Sequence, residues 1–246
     1  MLPAERRKRI LDEVRSSGGL DVVSLSERFQ VSKSTIRRDL NLLDAQGKLQ
    51  RVRGGTIEVD ARTFEQIAPH AAADKQWIGS AAAELVKDGD IVLIDIGTTT
   101  AAVAQALFGR RVTVLTASLA VVDILRNSPD TELVILGGVV RSTYLSMVGS
   151  LTEQALDQLR ADIAFLGTSG VREDMSVMDS TGTEVPIKQS ILRNSSSAYL
   201  VATPDKFPGS GILKVCSVTQ FDGVVTTATG PIVDSIKSHN IQVIHP

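Results

Sequence analysis

The sequence predicts an α/β chain in two parts: a small helical head ending in a β-hairpin, then a larger domain on a largely parallel sheet. Three observations carry that expectation. The first part sets two short amphipathic helices around a tight turn, and beyond it apolar, β-branched runs alternate with helical stretches. The charge also changes sign between the parts. Residues 1–60 hold 12 Lys and Arg against 9 Asp and Glu, whereas the rest holds 14 against 19.

At 246 residues the chain is comfortable for two domains. Its 43% hydrophobic and 22% charged content is that of an ordinary globular protein with ample core. No apolar run approaches the ~18 residues that span a bilayer. The charged stretch Met1–Arg9 is followed by no apolar signal core, so export is not expected. Cys216 is the sole cysteine, which fits a reducing cytoplasm and reads as a buried, inert thiol. His70, His239 and His245 are scattered without ligand-like neighbours, so no metal site is expected.

In the head, a helix is expected from about Glu5 to Ser17, with Ile10, Leu11 and Val14 on one side and Gly18-Gly19 ending it. A second spans about Ser24 to Gln30. Val31-Ser32 makes a tight connection, and Ser32 is placed to cap a third helix from Lys33 to about Gln46, which Gly47 stops. On that third helix Ile36, Leu40 and Leu43 form a narrow apolar stripe. At about 100° per residue, Ser34, Arg37, Arg38 and Asn41 fall on the opposite face. Arginine and asparagine there suit phosphates and base edges. Alone, Arg37-Arg38 would read as a solvated helix face. Two helices around a tight turn, followed by a strand, a Gly54-Gly55 turn and a return strand bearing Arg51 and Arg53, instead make a winged helix-turn-helix facing DNA. The DNA-facing set is Ser32, Lys33, Ser34, Thr35, Arg37, Arg38, Asn41, Arg51 and Arg53.

We divide the chain into a head over 1–58, a linker over 59–74 and a second domain over 75–246. The linker has no clear period and contains Pro69. A helix from about Ala71 to Val86 leads into the second domain, and Asp88-Gly89-Asp90 breaks it. Strands are expected at Ile91–Ile96, Val112–Thr116, Glu132–Leu136, Asp162–Leu166, Ala198–Ala202, Gly223–Thr226 and Ile241–Ile244. Helices are expected between most of them, as at Thr100–Leu107, Leu119–Asn127, Leu151–Leu159 and Val185–Asn194. Strands this apolar, alternating with helices, argue a parallel sheet covered on both faces.

Ligands of such sheets bind outside the carboxyl ends of the strands. The first exit, Asp95-Ile96-Gly97-Thr98-Thr99-Thr100, opens into a helix whose N–H groups and positive dipole end suit a phosphate. It is neither a Walker loop nor a dinucleotide fingerprint, and no cofactor is expected. Further exits are Thr116-Ala117-Ser118, Gly137-Gly138 with Arg141, and Gly167-Thr168-Ser169-Gly170, followed by Glu184 with Lys188 and by Asp205-Lys206. Any one exit could be an ordinary turn, and Glu184–Lys188 judged alone is a surface ion pair. Together, small, hydroxylated and cationic residues favour a polyhydroxylated anion.

The run Val31-Ser32-Lys33-Ser34-Thr35-Ile36-Arg37-Arg38-Asp39-Leu40, with its Arg-x-x-Gly-Gly wing, closely resembles the DeoR-type regulators of bacterial sugar operons. The likeness continues through Asp95–Thr99, Gly137-Gly138, Gly167–Gly170, Glu184 with Lys188, and Lys206-Phe207. It implies a sensor domain similar in fold to ribose-5-phosphate isomerase and an effector that is a phosphorylated sugar or polyol. It also implies a self-associating repressor of operator DNA, as a homodimer or homotetramer. Three positions depart from the family pattern. Arg53 replaces the usual wing histidine, Ala117 the usual asparagine, and Thr203 the usual aspartate three residues before the late lysine. The rival reading is a sugar-phosphate isomerase-like enzyme with an added DNA-binding head, in which Asp95, Glu184 or Asp205 would be the base and Lys206 would stabilise an enediolate.

Overall fold

The computed structural model describes residues 2–17, 20–45, 50–52, 55–57 and 63–246, which form two compact units, Met1–Arg62 and Thr63–Pro246. The first unit runs α1 (Pro3–Ser17), β1 (Leu20–Asp21), α2 (Val22–Phe29), α3 (Lys33–Ala45), β2 (Gln50–Val52) and β3 (Gly55–Ile57). Its core is Ile10, Val22, Leu25, Phe29, Ile36, Leu40 and Leu43, the last three brought to one side of α3 by their spacing.

The helix boundaries follow their caps. The Asp21 carboxylate accepts from Val23 N at 2.8 Å and Ser24 N at 2.9 Å, so α2 starts at Val22 and not at the expected Ser24. Gln30, left-handed at φ 52°, ends α2, and Ser26 Oγ donates to Val31 O at 2.7 Å across the turn. Ser32 Oγ accepts from Thr35 N at 3.2 Å at the head of α3. One further tie joins α1 to α3: Arg6 Nε donates to Asp39 Oδ2 at 2.6 Å with both side chains nearly buried.

In the wing Arg51 lies opposite Thr56 and Val52 opposite Gly55, so Gly55 belongs to the return strand and not to the turn. A third strand was not foreseen: β1 pairs with β3 through Leu20↔Thr56 and Asp21↔Gly55. Arg53, Gly54, the helix stops at Gly18-Gly19 and Gly47, Glu58 and linker residues 59–62 lie outside the described residues.

The second unit opens with α4 (Phe64–Ile67), a short helix where the sequence suggested only a connector, and α5 (Ala72–Ala83). It continues with β4 (Ile91–Ile94), α6 (Thr98–Ala106), β5 (Thr113–Thr116), α7 (Leu119–Leu125) and β6 (Glu132–Ile135). Next come β7 (Val139–Arg141), β8 (Ser146–Val148), α8 (Ser150–Asp157), β9 (Ala161–Leu166), β10 (Gly170–Val171) and β11 (Ser176–Asp179). It closes with α9 (Val185–Arg193), β12 (Ser195–Ala202), β13 (Leu213–Ser217), β14 (Gly223–Thr226), α10 (Pro231–Ser238) and β15 (Gln242–Ile244).

Seven strands make one sheet in the order β15-β14-β12-β9-β4-β5-β6, every neighbouring pair parallel. Alternate strand residues feed two cores. Val92, Ile94, Val114, Ile163 and Phe165 pack with α5, α6 and α7, whereas Leu93, Leu115, Ala164, Leu166 and Leu200 pack with α8, α9 and α10. Each fully buried aliphatic side chain contributes about 1.5–3 kcal/mol relative to exposure, so both faces must stay covered. The β7–β8 hairpin and an antiparallel sheet in the order β10-β11-β13 were not anticipated from sequence. No described helix is long and apolar enough to cross a membrane.

Candidate functional site

The strand order places a crevice. From β4 the chain winds outward through β5 and β6, then returns to β9 on β4's other side and winds the opposite way. The carboxyl ends of β4 and β9 therefore flank the topological switch point, where parallel sheets open a cleft. Asp95 leaves β4 there and Gly167 leaves β9.

Those two exits meet directly. Asp95 is buried and its Oδ2 accepts from Gly167 N at 3.0 Å and from Lys188 Nζ at close range. Lys188 comes from α9; it also donates to Gly167 O at 3.0 Å and lies 3.7 Å from Asp179 Oδ2 at the end of β11. One helical turn before Lys188, Glu184 is 1% exposed. Its Oε1 accepts from Arg141 Nη1 at 2.6 Å and from Ser146 Oγ at 2.9 Å, both on the β7–β8 hairpin. Arg141 also donates to Thr181 Oγ1 at 3.3 Å, and its guanidinium carbon sits 4.5 Å from the Tyr144 ring centre.

The cluster thus sets carboxylates of Asp95, Asp179 and Glu184 against the cations Lys188 and Arg141. Burial opposes the Lys188 charge, but the three carboxylates outweigh it and hold its pKa above the ordinary lysine value. Burial pushes the Asp95 and Glu184 carboxyls above their ordinary values, against the pull of Lys188. These directions agree: more acids than cations share one dry site, so the Lys188 ammonium stays charged and the Asp95 and Glu184 carboxyls hold protons longer. Asp95 Oδ1 and Glu184 Oε2 are buried without a hydrogen-bond partner. A buried acceptor left unpaired costs about 1–3 kcal/mol.

The remaining sequence-chosen residues divide by what their atoms do. Gly97, at φ 124°, precedes α6, so the first N–H groups of Thr98, Thr99 and Thr100 have no acceptor within the helix. Thr100 Oγ1 donates to Gly97 O at 2.9 Å. Thr116 Oγ1 donates to Ile94 O at 2.7 Å and accepts from Ser118 N at 3.0 Å, a stitch between neighbouring strands. Ser118 caps α7 through Val121 N at 3.3 Å. Thr168 Oγ1 bonds the carbonyls of Gly170 and Met178, and Ser169 accepts from Ser180 Oγ at 2.9 Å.

Gly138 and Gly170 are required by packing: a Cβ would stand 2.2 Å from Thr152 Oγ1 at the first and 2.4 Å from Ser210 O at the second. Gly137, in contrast, faces open space. Lys206 lies past the end of β12 and pairs with Asp205 at 2.9 Å. In the first unit Ser32, Lys33, Ser34, Arg37, Arg38 and Asn41 are exposed and Thr35 half-buried, on the side of α3 away from its core stripe. Arg51 is described only as backbone in β2, opposite Thr56.

Residues 6–62 match the DeoR-like helix-turn-helix domain, and residues 70–228 match the DeoR C terminal sensor domain. The chain belongs to the DeoR family. This regulator is 32% identical over 250 residues to the glycerol-3-phosphate regulon repressor of Escherichia coli K12, covering 99% of both chains. It is 30% identical to the HTH-type transcriptional regulator GlpR of Haloferax volcanii, over 93% of this chain and 91% of that one. Among solved structures, ribose 5-phosphate isomerase A of Methanocaldococcus jannaschii aligns at TM-score 0.40 and 19% identity, over 54% of this chain and 53% of its own. The DeoR-family protein is a DNA-binding transcriptional regulator and not an enzyme.

Sequence reasoning missed Asp179, Thr181 and Ser146. The dense polar run Asp179-Ser180-Thr181-Gly182-Thr183-Glu184 was a usable signal for the first two. Nothing local marked Ser146, which reaches Glu184 only because the hairpin folds over the β5 exit, with Met147 N donating to Ala117 O at 2.8 Å.

Proposed function

We propose that this regulator represses a carbohydrate-metabolism operon, reading its operator through α3 and releasing it when a phosphorylated sugar or polyol binds at the β4–β9 crevice. The observation that carries the reading is the pair of buried, unpartnered oxygens, Asp95 Oδ1 and Glu184 Oε2, beside Lys188 and Arg141. A ligand rich in hydroxyl donors satisfies such acceptors, and a phosphate suits the amides at Gly97–Thr100 and the Lys206 cation. Thr116, Ser118, Thr168 and Gly170 act as walls of that cleft. Gly137, Gly138 and Ser169 complete its rim.

On DNA, Arg37, Arg38 and Asn41 face base edges and Ser32, Lys33, Ser34 and Thr35 face phosphates, with Arg51 and Arg53 of the wing on the backbone. A homodimer or homotetramer in the cytoplasm would place recognition helices in successive major grooves roughly 34 Å apart. The effector works only through different affinity for DNA-competent and released states.

Fluorescence anisotropy on DNA flanking the coding region, titrated with sugar phosphates, glycerol 3-phosphate and their dephosphorylated forms, tests both halves. Glycerol 3-phosphate belongs in that set because the 32% identical relative is named for its regulon. Salt-sensitive binding weakened by one phosphorylated compound is the expected result. Absence of DNA binding rejects the operator role, and binding that no compound alters rejects the sensor role.

A further inference from the structure

The turn between β7 and β8 connects the buried carboxylates to the first residues of the sensor unit. Arg141, at one side of that turn, is held by Glu184 at 2.6 Å. Two residues later Thr143 O accepts from Phe64 N at 2.9 Å, the bond that moors the head of α4. The far side of the turn is fixed to the β5 exit: Leu145 O accepts from Leu119 N at 2.8 Å, and Ser146 bridges to Ser118. Leu145 sits at φ 50°, a conformation that a bulky residue keeps only when its surroundings impose it.

The other end of α4 is moored as well. Lys75 of α5, itself buried, donates to Ile67 O at 2.8 Å and Ala68 O at 3.3 Å. α5 in turn packs on α6 so closely that a Cβ on Gly79 would stand 2.4 Å from Ala102 O. α6 begins at the Asp95–Gly97 exit. A helix of four residues is therefore tied at one end to the partner of Glu184 and at the other, through two helices, to the strand exit bearing Asp95.

We propose that Arg141 is the positioning residue that transmits occupancy of the crevice to α4, and so to Thr63, where the chain enters the sensor unit. This rests on the effector reading above. A phosphate offers a guanidinium the same two-pronged partner as a carboxylate, with more charge. An anionic effector thus competes with Glu184 for Arg141. When Arg141 turns to the ligand, residues 141–144 shift, Thr143 O leaves Phe64 N, and α4 loses its mooring.

Hydrogen exchange on the full chain tests the link without any effector. The peptide spanning 63–69 should exchange at the Phe64 amide at least about tenfold faster in Arg141→Gln and Glu184→Gln than in the wild type, while 91–96 stays protected. Arg110→Gln, which breaks a surface contact with Asp88, should leave Phe64 unchanged. Wild-type exchange at Phe64 in both site variants overturns the proposal. Should either single variant loosen the whole unit, the double variant Arg141→Gln with Glu184→Gln, which removes both charges and strands neither, decides instead.

A second arm adds glycerol 3-phosphate or inorganic phosphate. A compound that weakens wild-type DNA binding should bind Arg141→Gln more weakly by calorimetry, since a ligand contact is lost, and at saturating concentration should leave the variant's DNA affinity within about twofold of its value without compound. A full DNA response in that variant overturns the proposal. If no compound affects the wild type, the effector reading falls, and exchange at Phe64 still decides the mechanical link.

Discussion

The Asp39→Ala substitution should unfold the DNA-binding unit before it touches the sensor. Asp39 accepts from Arg6 at 2.6 Å, with side-chain exposures of 6% and 9%, and Arg7 stands 3.9 Å away on its other oxygen. Removing one partner of a buried pair leaves an uncompensated charge, at a cost of about 3–5 kcal/mol. The low end applies here, because Arg6 lies near the start of α1 and can turn outward. Against it stands a unit of 62 residues, for which about 0.05–0.15 kcal/mol per residue gives a total near 3–9 kcal/mol. A loss of about 3 kcal/mol, at roughly 4–8 °C per kcal/mol, lowers the head's midpoint by 12 °C or more.

The assay can separate the two units because the only tryptophan, Trp77, lies in the second. Head unfolding should appear as an early loss of helical circular dichroism with Trp77 fluorescence unmoved. The pairing argument makes a further demand. Arg6→Met with Asp39→Leu replaces both charges by apolar groups and should recover stability to within about 1 kcal/mol of wild type. A midpoint for Asp39→Ala within about 2 °C of wild type would refute the reasoning. A double variant as weak as the single one would show that Asp39 acts through something other than Arg6.

Arg38→Ala should weaken operator binding at least about tenfold and flatten its salt dependence, measured by anisotropy at several salt concentrations; unchanged affinity would remove that face of α3 from the interface. The Asp95 and Glu184 carboxyls are held above their ordinary values, so the native sensor keeps protons that the unfolded chain releases; stability is therefore full at low pH and declines as pH rises through the folded values. Lys188 opposes no part of that trend near neutrality, because its raised pKa matters only in strong alkali. The Trp77 midpoint should thus fall as pH rises above the ordinary carboxylate range, about 4, and Glu184→Gln should flatten the slope; a rising midpoint would contradict the assignment. Gly79→Ala drives a methyl against the Ala102 backbone and should cost about 1–3 kcal/mol in chemical denaturation; a neutral result would mean that α5 and α6 separate easily. Cys216 is buried with its thiol pushed up to about 12, so a thiol reagent should label it only as the sensor unfolds.

What could be read from sequence was what repeats locally. Ile36, Leu40 and Leu43 recur at a helix's period, so α3 and its exposed arginine face were visible together. The apolar runs of β4, β5, β9, β12 and β14 were visible because a parallel sheet buried on both faces needs near-continuous apolar runs in its strands. β7, β8, β10 and β11, of two to four residues, neither form a fully apolar run nor are long enough to show a period, and packing fixes them. Partners were harder still. Glu184 and Lys188 at one-turn spacing suggested a surface pair, yet Lys188 reaches Asp95 across 93 residues and both ends are buried. No local pattern encodes a contact at that separation.

Asp39 shows the same limit within a single motif. It follows two exposed arginines in the Thr35-Ile36-Arg37-Arg38-Asp39-Leu40 run, and composition alone would assign all three charged residues to one polar face. At about 100° per residue, however, Asp39 lies about 40° from Leu43 and about 60° from Ile36, on the edge of the buried stripe, and α1 supplies its counter-charge. The motif therefore mixes two kinds of constraint. On the proposed reading, changing Arg37 or Arg38 should remove a contact to DNA and leave the fold, whereas changing Asp39 should destabilise the fold that presents them. Loss of operator binding alone does not distinguish these cases. Affinity measured beside the head's unfolding midpoint does, because only the Asp39 variant should recover binding on cooling below that midpoint.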